Sequence, residues 1–198
     1  MVLIVIIGLA GLLFVFQIYT SMATQKSEKQ NYSIVKTTPE FEIRFYPAST
    51  MAMITSTATS YKELGSFGLK KLAGYIFGGK TDNKQISMTA PVHMDLGDSV
   101  STMSFVMPSG YNVDNLPLPD NSEVTIKSAP DEYVAAIRFG GFASNEDIKK
   151  NASFLISELN KNQIFHHGHY LFLGYNPPYL LFGRRNEIIV AINWPVNQ

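Results

Sequence analysis

Four histidines, His93, His166, His167 and His169, are the first candidates in this sequence for acid–base or metal chemistry near neutral pH. There is no cysteine, which removes disulfides, thiolate metal sites and a cysteine nucleophile. His166, His167 and His169 fall in "FHHGHY", where His167 and His169 would share one face of an extended segment. No carboxylate lies close enough in sequence to complete a dedicated metal site, so a solvated turn is expected there. His93 follows the bend in "TAPVHM" and is expected as an exposed loop histidine. Lys70-Lys71 and Arg184-Arg185 offer cations suited to carboxylate partners. Met88, Met94, Met103 and Met107 cluster in sequence, either as core filling or as the wall of an adaptable apolar pocket. Arg44 and Glu187 stand inside strand-like blocks, and outward pleat positions account for both. There is no G-x-S-x-G, no H-E-x-x-H, no glycine-rich phosphate loop after a strand and no telling pair of carboxylates. Binding rather than catalysis is therefore expected, with no metal site.

The elements that must position these residues read twice along the chain. "FEIRFYPAS" (41–49) alternates apolar and polar residues as a half-buried strand does, and "TMAMITSTAT" (50–59) is a second strand rich in β-branched residues. "SYKELGSFGLKKLAGYIFGGK" then has Ser60 and Glu63 at capping-box spacing. Leu64, Phe67 or Gly68, Lys71 or Leu72, and Tyr75 or Ile76 mark one helical face, and Gly78-Gly79 is a stop. "KQISMTAPVHM" and "STMSFVMPSG" follow as strands, each carrying a proline. The second pass has strands at "SEVTIKSAP" and "EYVAAIRFGGFA". A helix capped by Ser144 with Asp147 follows, burying Ile148, Ala152, Leu155, Ile156 and Leu159. The strands "HYLFLGYNPPY" and "NEIIVAINWP" complete it. Pro91 and Pro177 are expected to end equivalent strands. The segment 108–123, rich in proline and turn formers, is expected as a crossover loop. The implied fold is α+β: duplicated βαββ-type halves whose two sheets bend together into a distorted open barrel with two helices.

The N-terminus is of another kind. Residues 1–25 contain no charged side chain, and all 16 basic and 16 acidic residues follow them. About 20 apolar or weakly polar residues in helix cover the hydrocarbon core of a bilayer. Residues 1–23 are expected as a single-pass transmembrane anchor, with a cleaved signal ending near Ser21-Met22-Ala23 as the rival and a buried helix as the third reading. Lys26, Lys29 and Lys36 follow the span and no cation precedes it, which favours a cytoplasmic domain after the anchor. Residues 24–33 read as a tether and 34–198 as the domain. The zero net charge, with no basic stripe, argues against nucleic acid as a partner.

"FEIRFYPA", "KKLAGYIFGGK", "QISMTAPV", "FVMPSGY", "LPLPD", "IRFGGFAS", "GYNPPY" and "RRNEIIV" occur in the order and spacing of the SOUL/haem-binding protein family. The resemblance spans about residues 32–195. It implies a duplicated βαββ barrel, similar to the effector-binding domains of some bacterial transcription regulators. It also implies haem or another tetrapyrrole bound in an apolar groove beside the first helix of the domain. In members that ligate iron through histidine, that histidine lies between the Arg and Tyr of an "EIRHY"-like block. Here the block is "EIRFY", and Phe45 has no lone pair to offer. Any haem would then be held through apolar and propionate contacts. The resemblance thus points to Phe45, Phe67, Lys70, Lys71, Met88 and His93 as ligand-binding candidates. Lys70 or Lys71 would meet the propionates. A non-haem amphipathic small molecule in the same groove and a small-molecule hydrolase are the alternatives.

Overall fold

A computed structural model of the chain describes residues 2–79 and 84–194. A long helix, α1 (Val2–Lys26), is followed by β1 (Glu28–Lys29), β2 (Ser33–Thr37), β3 (Glu42–Tyr46) and β4 (Ser49–Ser56). Helix α2 (Tyr61–Ile76) leads to β5 (Thr89–Ala90), β6 (Val92–Leu96) and β7 (Ser101–Val106). The irregular segment 108–123 crosses to β8 (Thr125–Ala129) and β9 (Glu132–Phe139). Helix α3 (Asn145–Lys161), β10 (His166–Gly174) and β11 (Asn186–Ile192) complete the fold. Pro195, the last residue of the expected final strand, lies outside the described residues.

Both domain helices begin as their sequences dictate. Ser60 Oγ accepts from Glu63 N–H at 3.2 Å, and Ser144 Oγ accepts from Asp147 N–H at 3.1 Å. In α3 the exchange is reciprocal, because Asp147 Oδ2 accepts from Ser144 N–H. The buried stripe of α2 is Leu64, Gly68, Leu72, Tyr75 and Ile76, which settles the alternatives and leaves Phe67 exposed. A Cβ at Gly68 would lie 2.7 Å from Met103 Sδ and 3.0 Å from Ile54 Cδ1, so glycine lets α2 lie directly on β4 and β7. On α3 the buried residues are Ile148, Ala152, Leu155 and Leu159, with Ile156 half-buried.

Nine strands form one continuous sheet in the order β2-β3-β9-β11-β10-β6-β7-β4-β8. All its described pairings are antiparallel. The order itself forces the sheet to curl. β3 and β4 stand near opposite ends of it, yet only Pro47-Ala48 separates them in the chain. β9 and β8 stand in the same relation across Pro130-Asp131. A two-residue link reaches roughly 10 Å, whereas six strand spacings on a flat sheet exceed 25 Å. The result is a curled half-barrel. The two expected sheets are thus one sheet, continuous through β6 and β10, and there are three described helices because α1 is added to the expected two.

The run strand, strand, helix, strand, strand occurs over 125–192, and over 42–106 with the two-residue β5 added after the helix. This likeness of order does not by itself establish a duplicated origin. The equivalence expected between Pro91 and Pro177 is corrected. Pro91 does end a strand, the two-residue β5, but it stands at the start of β6, whereas Pro177 follows the end of β10, the strand that matches β6. "KQISM" is irregular, with strand pairing only from Thr89 onward. Helices α2 and α3 cover one face of the sheet, where Ile43, Ile54, Phe105, Phe172 and Ile188 join Leu72 and Leu155 in the main core. A smaller cluster, with Tyr46, Val134, Leu173, Tyr175 and Ile189, forms on the opposite face.

Candidate ligand-binding groove

Beside the first two turns of α2 lies an open groove of about 460 Å³. Its walls come from the end of β4 (Thr55, Ser56) with Thr57 and Ala58, from Val100 before β7, from Glu63 and Phe67 of α2, and from Glu123 before β8. Phe67 stays 38% exposed because Gly68, its neighbour, occupies the buried stripe. Lys71, one turn further along α2, places Nζ 3.9 Å from the Phe67 ring centroid and pairs with Glu123. That hydrogen bond from Lys71 holds the Glu123 carboxyl below its usual range. The groove thus carries an apolar plate, Phe67 and Val100, with a lysine–carboxylate pair at its rim. Lys70 is exposed and outside the lining.

The remaining candidates lie elsewhere. Phe45 is half-buried on β3, its ring 5.0 Å from that of Tyr133. Met88 packs half-buried against the main core. His93 is not an exposed loop residue: it is buried on β6, between Leu173 of β10 and Ser104 of β7. Its Nε2 lies 2.7 Å from Gln30 Oε1, and burial holds its pKa down at about 4, so the ring is neutral near pH 7. His169 approaches Asp95 at 3.9 Å, and no cluster of three metal-binding side chains occurs among the described residues.

Arg44 and Glu187, expected to point outward, are buried at 3% and 0% exposure. Arg44 donates to Glu187 at 2.7 Å and to Glu42 at 2.7 Å. Arg185 and the Tyr175 hydroxyl also donate to Glu187, at 2.7 and 2.9 Å. Burial alone would raise the Glu187 carboxyl, but the Arg44 hydrogen bond and both guanidinium charges outweigh it and hold it below its usual range. Tyr32 caps the group: Arg44 lies 4.3 Å from its ring centroid, and its hydroxyl accepts from Arg185 at 3.2 Å. Because Gln30 reaches His93 and Tyr32 reaches Arg44, the segment expected as a tether lies across the helix-free face. A readable signal existed in "NEIIVAI": Ile188, Ile189 and Val190 are consecutive apolar residues, which marks a strand covered on both faces.

The profile of the SOUL heme-binding protein family matches residues 27–191. The chain belongs to this family. It is 27% identical over 156 residues to Heme-binding protein 1 of Xenopus laevis, spanning 75% of this chain and 81% of that protein. To Heme-binding protein 2 of Homo sapiens it is 29% identical over 167 residues, spanning 80% and 81%. Among solved structures, the C-terminal domain of EcmrR superposes with a TM-score of 0.60 at 7% identity, over 83% of this chain and 99% of that one. That likeness concerns the fold alone.

The groove can be tested against the group the family name implies. Its volume lies within the roughly 300–1,000 Å³ that enclose organic ligands. Phe67 and Val100 suit a flat apolar face, and Lys71 suits a carboxylate once it leaves Glu123. The lining holds no histidine, methionine or tyrosine, the side chains that serve as axial ligands besides cysteine. Phe67 and Val100 suit the ring of a tetrapyrrole. The charged side chains in the lining are the carboxylates Glu63 and Glu123, so a propionate can be met only by Lys71 beyond the lining, and the residues do not fit iron ligation.

Proposed function

We propose that this chain is a membrane-tethered binding protein that holds haem or a related tetrapyrrole beside α2, for transport, buffering or delivery. One observation carries the reading: a member of a heme-binding family presents an exposed phenylalanine in an open groove with a lysine at its rim. Phe67 and Val100 stack on the ring, and burial of apolar area supplies the affinity at roughly 25 cal/mol per Å² before association costs. Lys71 exchanges Glu123 for a propionate, so orientation of the guest is set by a charge already in place. The protein performs no reaction on its guest. The α1 span inserts in a bilayer, with the domain on the cytoplasmic side as Lys26, Lys29 and Lys36 direct.

Titration of the full chain with hemin and with metal-free protoporphyrin IX tests this. Both should bind in the micromolar range with similar affinity, because iron is not engaged. Phe67→Asp should weaken both by about tenfold, the equivalent of some 50–60 Å² of lost apolar contact. Unchanged affinity in that variant would move the guest away from α2. Phe45→His should leave the hemin spectrum as in the parent, since Phe45 packs tilted against Tyr133 and does not line the groove. A new axial-ligation signature would place the guest beside β3. The groove's lack of an iron ligand also supports a second reading, an amphipathic guest that is not a tetrapyrrole; a Phe67-dependent fluorescence rise with the amphipathic dye 1-anilinonaphthalene-8-sulfonate, with neither hemin nor protoporphyrin IX bound, would favour it.

A further inference from the structure

From the position of the 177–183 loop on α1, we infer that this loop enters the same bilayer as the helix and seats the domain flat on the lipid surface. This rests on the proposed membrane tether. The apolar span of α1 is Val5–Met22, and its 18 residues are almost bare, with 11% of them buried. The buried ones are Gln17 and Thr20. Gln17 is covered by the loop. Its Nε2 donates to Tyr179 O at 3.1 Å, and its Oε1 accepts from Leu181 N–H at 2.8 Å. Phe16 adds a ring contact with Tyr179 at 5.9 Å.

Depth follows from helix geometry. Gln17 lies five residues before the end of the span, or about 7 Å at the helical rise. The 18-residue span is about 27 Å long, close to the roughly 30 Å hydrocarbon core it has to cross, so a loop bonded to Gln17 sits at or just below the boundary between headgroups and acyl chains. A backbone at that depth must be satisfied from within the protein. Five backbone groups of the loop meet this condition: Gln17 serves Tyr179 O and Leu181 N–H, Arg184 Nη1 donates to Pro177 O at 2.8 Å and Leu180 O at 2.7 Å, and Leu180 N–H donates to Pro177 O. Its side chains point the other way. Phe182 is 76% exposed, Tyr179 54% and Leu181 43%. An amide facing hydrocarbon also needs partners, and Gln17 has both of its ends engaged.

Single-tryptophan chains test the placement. The full chain carries one tryptophan, Trp194, and Trp194→Phe gives a tryptophan-free background. Phe182→Trp, Phe14→Trp and Leu118→Trp are made in it and reconstituted in phosphatidylcholine vesicles with or without bromines at carbons 6 and 7 of one acyl chain. All three positions are exposed, which keeps the substitutions mild. Leu118 is the control: its neighbour Pro117 accepts from Tyr75 near the far end of α2, about 20 Å along that helix from Tyr61, which lies within electrostatic reach of Arg184 under the loop. Expected are a blue-shifted emission for Phe182→Trp, quenched by roughly half as suits the headgroup–acyl boundary, and no quenching for Leu118→Trp. If Phe14→Trp is quenched while Phe182→Trp behaves like Leu118→Trp, the loop inference is overturned and the tether stands. If Phe14→Trp is not quenched either, the tether itself fails.

Discussion

The two faces of the sheet are equally dry but differ in what they bury. Under α2 and α3 the interior is mostly hydrocarbon: Ile54, Leu64, Leu72, Met103, Leu155 and Ile188 are all at 0% exposure. On the helix-free face Glu187 is also at 0%, and Arg44 and His93 are nearly so. The first face needs volume and shape, and similar apolar residues can share that work. The second needs partners: each charge there is tolerable only because another group faces it at hydrogen-bond distance. Glu187 and His93 also lie in one cross-strand row, on either side of Leu173. The first face holds the sheet on its helices, and the second fixes how residues 28–32 lie across it.

Breaking the ionic face should have the largest effect. Glu187→Leu leaves Arg44 buried against no carboxylate but Glu42, and should cost about 3–5 kcal/mol in urea unfolding. The double variant Arg44→Met, Glu187→Leu should recover much of that loss. A single-variant loss below about 1 kcal/mol would mean the pair is dispensable. On the hydrocarbon face, Leu155→Ala should cost about 3–4 kcal/mol through lost transfer energy and the cavity left behind. Leu155→Met should be tolerated far better, which is the contrast with Glu187 that matters.

The pH dependence sharpens the comparison further. His93 stays neutral in the folded protein down to pH about 4, whereas an unfolded imidazole takes its proton near 6.5. The unfolded chain therefore binds more protons in that window, and stability falls as the pH falls from 6.5 to 4, by about 3 kcal/mol in all. Glu187 adds its loss at lower pH. It begins as the pH drops through the ordinary carboxylate range and ends at the depressed folded value. His93→Gln should flatten the upper window and leave the lower one; an unchanged slope would show that another group titrates there. The smallest effect belongs to the caps. Ser144→Ala should cost about 1 kcal/mol, and Ser60→Ala no more than that, since only Ser144 makes the reciprocal box.

Much of the helix-covered face was legible in advance. The stripe Ile148, Ala152, Leu155 and Leu159 follows from 3.6-residue periodicity, and Ser60 and Ser144 mark where two helices begin. On α2 the sequence left Phe67 or Gly68 open, because both fall near the same meridian. Contact with Met103 and Ile54 decided for glycine and so put Phe67 in the groove. The helix-free face was misread. Arg44 and Glu187 look like solvent positions in alternating strands, and only the covering segment with Tyr32 makes them interior. His93 was misplaced for the same reason, since Gln30 stands 63 residues away from it in sequence.

The sequence by itself determined an apolar N-terminal helix, two capped amphipathic helices, alternating strands and a family. Each of these depends on neighbours within a few residues or on an ordered set of motifs. The tertiary structure alone decided that Glu187 meets Arg44 across 143 residues, that Gln17 holds the loop at Tyr179 and Leu181, and that nine strands form one curled sheet. Those outcomes follow from strand order and two-residue links, which bring distant segments together by geometry that no local pattern encodes.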